Sequence, residues 1–160
     1  VNLPAREKMT APKYQEFAPD RIPVAKPAAG VEVKVIAGRV GDVQGPISQP
    51  ATDPLYLDIA LDAGKACEYA LPAGHNAFAY VFEGALTVGE GDEARPLDTH
   101  EMGVLGGGEV LQVRAGSRPA RLIVVAGRPL REPVMRHGPF VMNTRQELMQ
   151  AFVDFQEGRF

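Results

Sequence analysis

Residues 71–84 decide the fold, and they read LPAGHNAFAYVFEG. The first part holds Pro72 and Gly74 and has the composition of a turn, whereas residues 77–82 form an unbroken apolar run. A short apolar run bounded by turn signals is typical of a buried β-strand. Glu83 and Gly84 then end the run as a hairpin would. This stretch therefore predicts a strand held between two turns.

Strand patterns continue on both sides of this stretch. Val31, Val33 and Val35 alternate with polar residues, and a second alternating series is Leu55, Leu57, Ile59 and Leu61. Further strands are predicted at residues 67–71, 86–88, 102–105, 109–114 and 120–126. About eight short strands separated by Gly, Pro or Asp clusters indicate an all-β sandwich or barrel.

The two ends of the chain differ from its centre. Residues 1–30 are rich in proline, which interrupts helices and central strands, so they are predicted to form an extended arm. The predicted barrel occupies residues 31–127, and residues 128–160 form a C-terminal extension. Thr144 and Glu147 have the spacing of a capping box, which predicts a helix over about residues 144–157. Phe152 and Phe155 lie on its apolar stripe and are expected to pack against another surface.

Composition and charge exclude several function classes. The chain has 160 residues with 17 Lys and Arg against 20 Asp and Glu, a net charge of -3, and no basic block. Direct nucleic-acid or anionic-membrane binding is therefore not expected. No apolar run approaches the roughly 20 residues of a membrane-spanning helix. One cysteine fits a reducing compartment, so a cytoplasmic location is expected, and a first residue other than Met suggests a cut within a longer protein.

Histidine and cysteine are the first candidates for site chemistry. His75, His100 and His137 are far apart in sequence, and no HxH, HExxH or CxxC pattern occurs. Since metal sites usually draw closely spaced ligands from one element, the pattern does not predict a metal site. Cys67 lies in a predicted strand with no partner base nearby, so a small buried apolar residue is the favoured interpretation over a nucleophile.

Two further candidates also have structural interpretations. The glycines at residues 106–108 have no GK[ST] after them and precede a strand, which favours a turn over a phosphate-binding loop. Glu83 is interpreted as a solvated carboxylate at a hairpin, because no second carboxylate is placed to act with it.

Three stretches of the chain resemble the pirin family. Residues 71–84 are similar to the first cupin motif in the form found in the C-terminal half of pirins. The opening VNLPAREKM, with PKYQ at 12–15, resembles the segment that joins the two pirin halves. The tail is similar to a pirin ending, with RPLREP at 128–133, GPFVMNT at 138–144 and DFQEGRF at 154–160. The resemblance covers essentially the whole chain. It implies a double-stranded β-helix, the cupin or jelly-roll barrel, from a bicupin whose N-terminal half is absent.

The resemblance also bears on metal binding. In pirins the metal, usually iron, is held in the N-terminal cupin by three His and one Glu. The family's ligand pattern falls here on Ala70, Pro72, Asn76 and Leu111, none of which is an iron ligand of the usual kind. The resemblance therefore implies no cofactor in this chain and iron in the N-terminal cupin that precedes it.

Alternation predicts what fills the barrel in place of a metal. Asn76, Phe78, Tyr80 and Phe82 share one face of their strand, and we expect the three aromatic rings to occupy the barrel interior. His75 is one residue out of phase with that face and is expected to point outward or into the preceding turn. His75 and Asn76 are thus the candidate rim of any pocket at the barrel mouth.

The favoured hypothesis is a metal-free half of a pirin-like protein that acts as a structural module. The arm and the helix bearing Phe152 and Phe155 would pack against a metal-bearing N-terminal cupin. Such a surface on the separate chain predicts a homodimer or an exchanged arm.

Two alternatives remain open from the sequence. The first is that the chain is part of a quercetin 2,3-dioxygenase-type oxidoreductase whose iron site lies upstream, since the resemblance implies that activity, along with transcription-cofactor roles. The second is a degenerate cupin that binds a small molecule or a protein at its mouth.

Overall fold

The fold is built from two antiparallel sheets and two short hairpins in a computed structural model that describes residues 2–11 and 13–159. The strands are β1 (Val24–Ala28), β2 (Val31–Ala37), β3 (Arg39–Val40), β4 (Val43–Gln44), β5 (Leu55–Leu61), β6 (Ala66–Ala70), β7 (Asn76–Glu83), β8 (Leu86–Val88), β9 (Arg95–Leu97), β10 (Met102–Val104), β11 (Val110–Ala115), β12 (Ala120–Gly127), β13 (Met135–His137) and β14 (Phe140–Met142). The described residues also form one α-helix, α1, at Arg145–Gln156 and three short 3-10 helices at Ala5–Glu7, Pro19–Arg21 and Gly91–Glu93. Val1, Pro12 and Phe160, which belong to the pirin-like stretches, lie outside the described residues.

The larger sheet has six strands in the order β1-β2-β5-β12-β7-β10, and the smaller has four in the order β6-β11-β8-β9. Every adjacent pair is antiparallel. The two inner faces bury one aliphatic core that includes Leu57, Ile59, Leu122 and Val124. The predicted all-β jelly-roll class is confirmed.

Alternation chose the buried face correctly in the first two predicted strands. The three valines of β2 that alternate with Glu32 and Lys34 are buried, and so are the four aliphatic residues of the β5 series. Because Glu32 and Lys34 lie on the opposite face of β2, only the valine face can be buried in the core.

The same reasoning failed in β7, where Phe78, Tyr80 and Phe82 do not lie in the barrel interior. The alternate set of Ala77, Ala79 and Val81 is buried and joins the core, while the three aromatic rings are half-buried on the opposite face. Both faces of β7 are apolar, so periodicity alone cannot choose between them. The aromatic residues have the larger apolar side chains, and the prediction therefore assigned their face to the core.

The extended arm predicted for residues 1–30 ends earlier than expected, because β1 at Val24–Ala28 joins the six-stranded sheet. Pro27 is tolerated there since β1 is an edge strand, and the pairing with β2 shifts register between Ala25 and Ala28. Ala25 is buried in the core.

The chain divides into two compact units. The barrel unit contains residues 15–129, and the C-terminal unit contains the described residues 2–11, 13–14 and 130–159. The Thr144 hydroxyl accepts a hydrogen bond from the Glu147 amide, and the Glu147 carboxylate accepts one from the Thr144 amide, so the predicted capping box is confirmed. Leu148 and Ala151 of α1 are buried with Met142. The Ala5 amide donates to the Glu132 carboxylate at 2.7 Å and ties the start of the chain to this unit.

No helix among the described residues has the length and apolar character to cross a membrane.

Candidate functional site

The four positions that the family pattern assigned to metal ligands do not form a ligand cage. Ala70 at the end of β6 and Asn76 at the start of β7 are exposed, whereas Leu111 of β11 is buried in the core. Pro72 is half-buried in the turn between β6 and β7. Methyl, pyrrolidine and isobutyl groups carry no donor for a cation, and the Asn76 amide alone is a poor iron ligand. Within the described ranges, no three His, Cys, Asp or Glu side chains are grouped so that they could hold a metal ion.

A pocket of about 360 Å³ does open at this end of the barrel. Its walls are aliphatic and are formed by Leu71, Val88, Leu97, Val104, Leu105, Val110 and Leu111. Gly106, Gly107 and Gly108 form part of its rim, and its polar side chains are Glu93, Arg95 and Gln112. This donor set does not fit a metal ion, because one carboxylate and one amide stand beside a guanidinium.

His75 and Asn76 do not line that pocket, although they were the predicted rim. The His75 side chain is only 4% exposed, and its Nε2 atom lies 3.0 Å from the Asp53 carbonyl oxygen. Nε2 also lies 3.4 Å from the Asp53 carboxylate, which is 3.7 Å from the Arg128 guanidinium. In the tautomer with a proton on Nε2, His75 donates to the Asp53 carbonyl and holds the β6–β7 turn against the loop before β5. His75 is therefore placed as a structural residue.

Cys67 is half-buried in β6 and packs against the core. Burial raises the pKa of its thiol, and the neighbouring Glu68 carboxylate raises it further. A raised pKa disfavours the thiolate, which is the nucleophilic form. The small apolar role predicted from the sequence agrees with this environment, and Glu83 is exposed at the end of β7 as expected of a hairpin carboxylate.

The outer face of the six-stranded sheet carries a continuous apolar surface that the sequence did not reveal. Register places Met102 and Ile123 on either side of Tyr80, and Val104 and Val125 on either side of Phe78. Tyr56 extends the second row, because it pairs with Val125. We call this set the apolar patch: Tyr56, Phe78, Tyr80, Met102, Val104, Ile123 and Val125.

Several members of the apolar patch are open to solvent. Val104 is 77% exposed, Met102 57% and Tyr56 38%, and the other four are half-buried. An antiparallel sheet with one face buried in a core normally carries polar residues on its other face. The large aromatic residues on the outer face of β7 are therefore not explained by packing of the barrel core.

Charged residues lie next to the apolar patch, first on β5 and β12 and then on β1 and β2. The Arg121 guanidinium donates to both Asp58 carboxylate oxygens, at 2.8 and 3.1 Å, and lies 4.9 Å from the centroid of the Phe82 ring. Beyond this pair, Lys26 and Glu32 form an exposed ion pair at 2.6 Å. The outer face thus divides into an apolar half and a charged half.

The C-terminal unit places the predicted helix phenylalanines differently from each other. Phe152 is half-buried, with its ring edge-on to Phe140 at 4.9 Å and to His137 at 5.2 Å. Phe155 is 63% exposed and contacts the Phe140 ring at 5.7 Å. Met149 and Val153 of the same helix are also exposed. The helix therefore buries Leu148 and Ala151 and presents a second apolar surface.

Comparison with known proteins supplies a family context for these features. The family model described as the pirin C-terminal cupin domain matches residues 56–160. A pirin-like protein of Caulobacter vibrioides is 48% identical over 161 residues, which cover 100% of this chain and 56% of that protein. Human pirin is 39% identical, covering 99% of this chain and 54% of its own length. A crystal structure named quercetin 2,3-dioxygenase from Acinetobacter baumannii superposes with a TM-score of 0.88 at 34% identity, over 100% of this chain and 55% of that one. The chain spans little more than half the length of the relatives it matches.

Proposed function

The chain belongs to the pirin family as its C-terminal cupin domain, and from this premise we propose that it is a metal-free structural half that supports a metal-bearing N-terminal cupin. The observation that carries the proposal is the chemistry of the barrel mouth. Aliphatic side chains of Leu71, Leu105 and Leu111 line the pocket there, Leu111 at a position that the family's ligand pattern assigns to a metal ligand, and they have no lone pair to offer a cation. Iron and the chemistry that it performs belong, in this proposal, to the N-terminal half.

The apolar patch supports a role in assembly. Monomeric proteins rarely expose contiguous apolar surface without a use for it, and such surface favours burial against a partner. The occupant that we propose is the N-terminal half, because the pirin relatives have nearly as much chain again outside the region matched here. The Asp58–Arg121 pair and the Lys26–Glu32 pair would lie at the edge of that interface, where ion pairs remain hydrated.

The exposed side of α1 supports the same role independently. Met149 and Val153 lie four residues apart on one face of the helix, and both are large apolar residues that remain exposed. The capping box fixes where this helix starts, and the buried pair Leu148 and Ala151 fixes its rotation. The helix is thus held rigidly by its own unit while presenting apolar side chains. We propose that these side chains also contact the N-terminal half.

Metal analysis of two proteins tests the proposal directly. The 160-residue chain and a protein carrying both halves are purified, exposed to Fe(II) without oxygen and freed of unbound metal. We expect about one iron per molecule in the two-half protein and almost none in the 160-residue chain. Stoichiometric iron in the 160-residue chain would overturn the proposal.

An enzymatic role for the whole protein is the second candidate, favoured by the similarity to the Acinetobacter baumannii protein named quercetin 2,3-dioxygenase. Oxygen consumption in the presence of quercetin separates the two roles of this half. If the chain only supports the other half, activity appears in the two-half protein alone. Turnover by the 160-residue chain itself would show that this half performs chemistry and would contradict the structural assignment.

A further inference from the structure

The barrel-mouth pocket has features that a purely supporting half does not need. It lies within the barrel unit between β10 of the larger sheet and the strands β8, β9 and β11 of the smaller one. Its volume of about 360 Å³ is within the usual range for small-molecule sites. Leu71, Val88, Leu97 and Leu105 are only partly buried against the core, so their pocket-facing surface remains to be covered. An apolar ligand would bury that surface.

Arg95 places a positive charge beside the aliphatic walls. Its Nη1 atom donates to the main-chain carbonyls of Asp92 at 2.9 Å and Ala94 at 2.8 Å, which fix the side chain without neutralising it. Arg95 forms no ion pair with a carboxylate of the described residues, and its Nε and Nη2 atoms donate to none of those residues. A guanidinium with free adjacent donors favours a carboxylate that accepts two hydrogen bonds.

The other polar side chains of the pocket leave Arg95 as its anion-binding group. Gln112 donates through Nε2 to the carboxylates of Glu68 at 2.9 Å and Glu90 at 3.0 Å, so its amide hydrogens are engaged away from a ligand. Glu93 is exposed on the short 3-10 helix Gly91–Glu93 and can remain in water. A ligand with an apolar body and one negative end matches this distribution.

Three consecutive glycines form part of the pocket rim, and neither their backbone conformation nor their surroundings require glycine. Gly106, Gly107 and Gly108 do not have left-handed backbone angles, and a Cβ atom added at any of them would meet nothing within 4 Å. Gly84 differs on both counts, with φ at +74° and an added Cβ 2.3 Å from the Pro119 carbonyl oxygen. The triglycine loop therefore needs glycine for neither conformation nor space. What three glycines still provide is backbone freedom.

Both ends of the triglycine loop are anchored by main-chain hydrogen bonds. The Leu105 amide donates to the Ala77 carbonyl at 2.9 Å, and the Leu71 amide donates to the Glu109 carbonyl at 2.8 Å. The freedom is thus confined to the three glycines at the pocket rim, between Leu105 and Glu109.

We propose that this pocket binds an apolar monocarboxylate, with its carboxylate on Arg95 and its hydrocarbon part against Leu71, Leu105 and Leu111, and that the triglycine loop moves to admit it. This role goes beyond support of an N-terminal half. It needs no metal, because binding rests on a guanidinium and on burial of apolar surface.

Octanoate, 1-octanol and octylammonium provide the test, because they share a tail and differ in charge. Calorimetry and amide NMR shifts are measured on the 160-residue chain. We expect octanoate to bind most tightly and to shift the amides of Leu71, Leu105 and Leu111. R95Q should weaken octanoate about tenfold and leave octanol unchanged, since a tenfold change corresponds to about 1.4 kcal/mol. R118Q is the matched control, because Arg118 is exposed and lies away from this pocket, and it should leave the affinity for octanoate unchanged.

Several results would overturn the assignment. They are octanoate binding that R95Q leaves intact, octylammonium binding as tightly as octanoate, or no shift at the three leucines. The loop is tested separately by replacing all three glycines with alanine, which the present backbone accepts. A severalfold slower association of octanoate, with an unchanged melting profile, supports a moving loop. Unchanged association would show that the pocket is open without it.

Discussion

The two faces of β7 are both apolar, yet only one of them is buried in the core. On the inner face of β7, Ala77, Ala79 and Val81 are small and buried, as is Leu122 opposite Val81 on β12. On the outer face the same strand carries Phe78 and Tyr80, which remain partly in solvent. The small residues on the inner face of β7 allow the two sheets to pack closely. The large residues on its outer face form an apolar surface that is not part of the barrel core. The difference teaches that apolar character alone does not identify a core.

The largest expected effect comes from substitution on the inner face. Leu122→Ala should destabilise the 160-residue chain by about 2–5 kcal/mol, because it leaves a cavity in a closely packed core. Ile123→Ala, one residue along β12 on the apolar patch, should cost about 1 kcal/mol or less in the same chain. Urea unfolding followed by circular dichroism measures both. Equal losses from the two variants would show that the outer face is as much a core as the inner one.

A charge placed on the apolar patch should matter only when the N-terminal half is present. Val104 is 77% exposed, so Val104→Glu should leave the stability of the 160-residue chain within about 0.5 kcal/mol. In the two-half protein it should cost about 1–3 kcal/mol, because the carboxylate would be buried without a partner.

Val24→Glu is the matched control for that variant. Val24 lies on the same outer face but pairs with Lys34 in its charged half, and it is also exposed. We expect no stability change from it in either protein. Unfolding curves that lose as much stability from Val24→Glu as from Val104→Glu would contradict a localised interface.

A smaller loss is expected from a change that leaves both faces of the sheet untouched. Thr144→Ala removes the hydroxyl that caps α1 and should destabilise the C-terminal unit by about 1 kcal/mol. Amide hydrogen exchange should rise in α1 and stay constant in β7 and β12. Equal acceleration in the barrel strands would show that the two units unfold as one.

The smallest effect is a pH dependence confined to that capping box. The hydrogen bond with the Thr144 side chain, followed by that from the Thr144 amide, lowers the pKa of Glu147 below its usual value. A lowered pKa in the folded state stabilises the helix above the usual Glu range, near pH 4.3, and this stabilisation is lost as the pH falls through the folded value. Protection factors of the α1 amides, which are corrected for the intrinsic exchange rate at each pH, should therefore fall on acidification, and less so in Glu147→Gln. A Glu147 titration at the usual value would contradict the lowered pKa.

The sequence predicted the fold well where one face of a strand is charged. In β2 the residues Glu32 and Lys34 leave only the valine face for the core, and in α1 the capping box marks the start of the helix. The family resemblance also proved correct. These features are local, so neighbouring residues contain the information.

The sequence could not predict features that depend on pairing between distant residues. Tyr80 and Met102 become neighbours only through the register of β7 and β10, and Arg95 reaches the wall formed by Leu71 only through the fold. A strand at Val24–Ala28 was hidden by Pro27, which an edge position tolerates. The apolar patch and the pocket were missed for these reasons.

Hydroxyl-radical labelling of the apolar patch tests most directly whether this half supports another. Met102 and Val104 are compared between the 160-residue chain and the two-half protein, with exposed Val110, which lies outside the apolar patch, as reference. The account predicts that labelling of Met102 and Val104 slows severalfold in the two-half protein while Val110 keeps its rate. Equal labelling of Met102 and Val104 in the two proteins would contradict it.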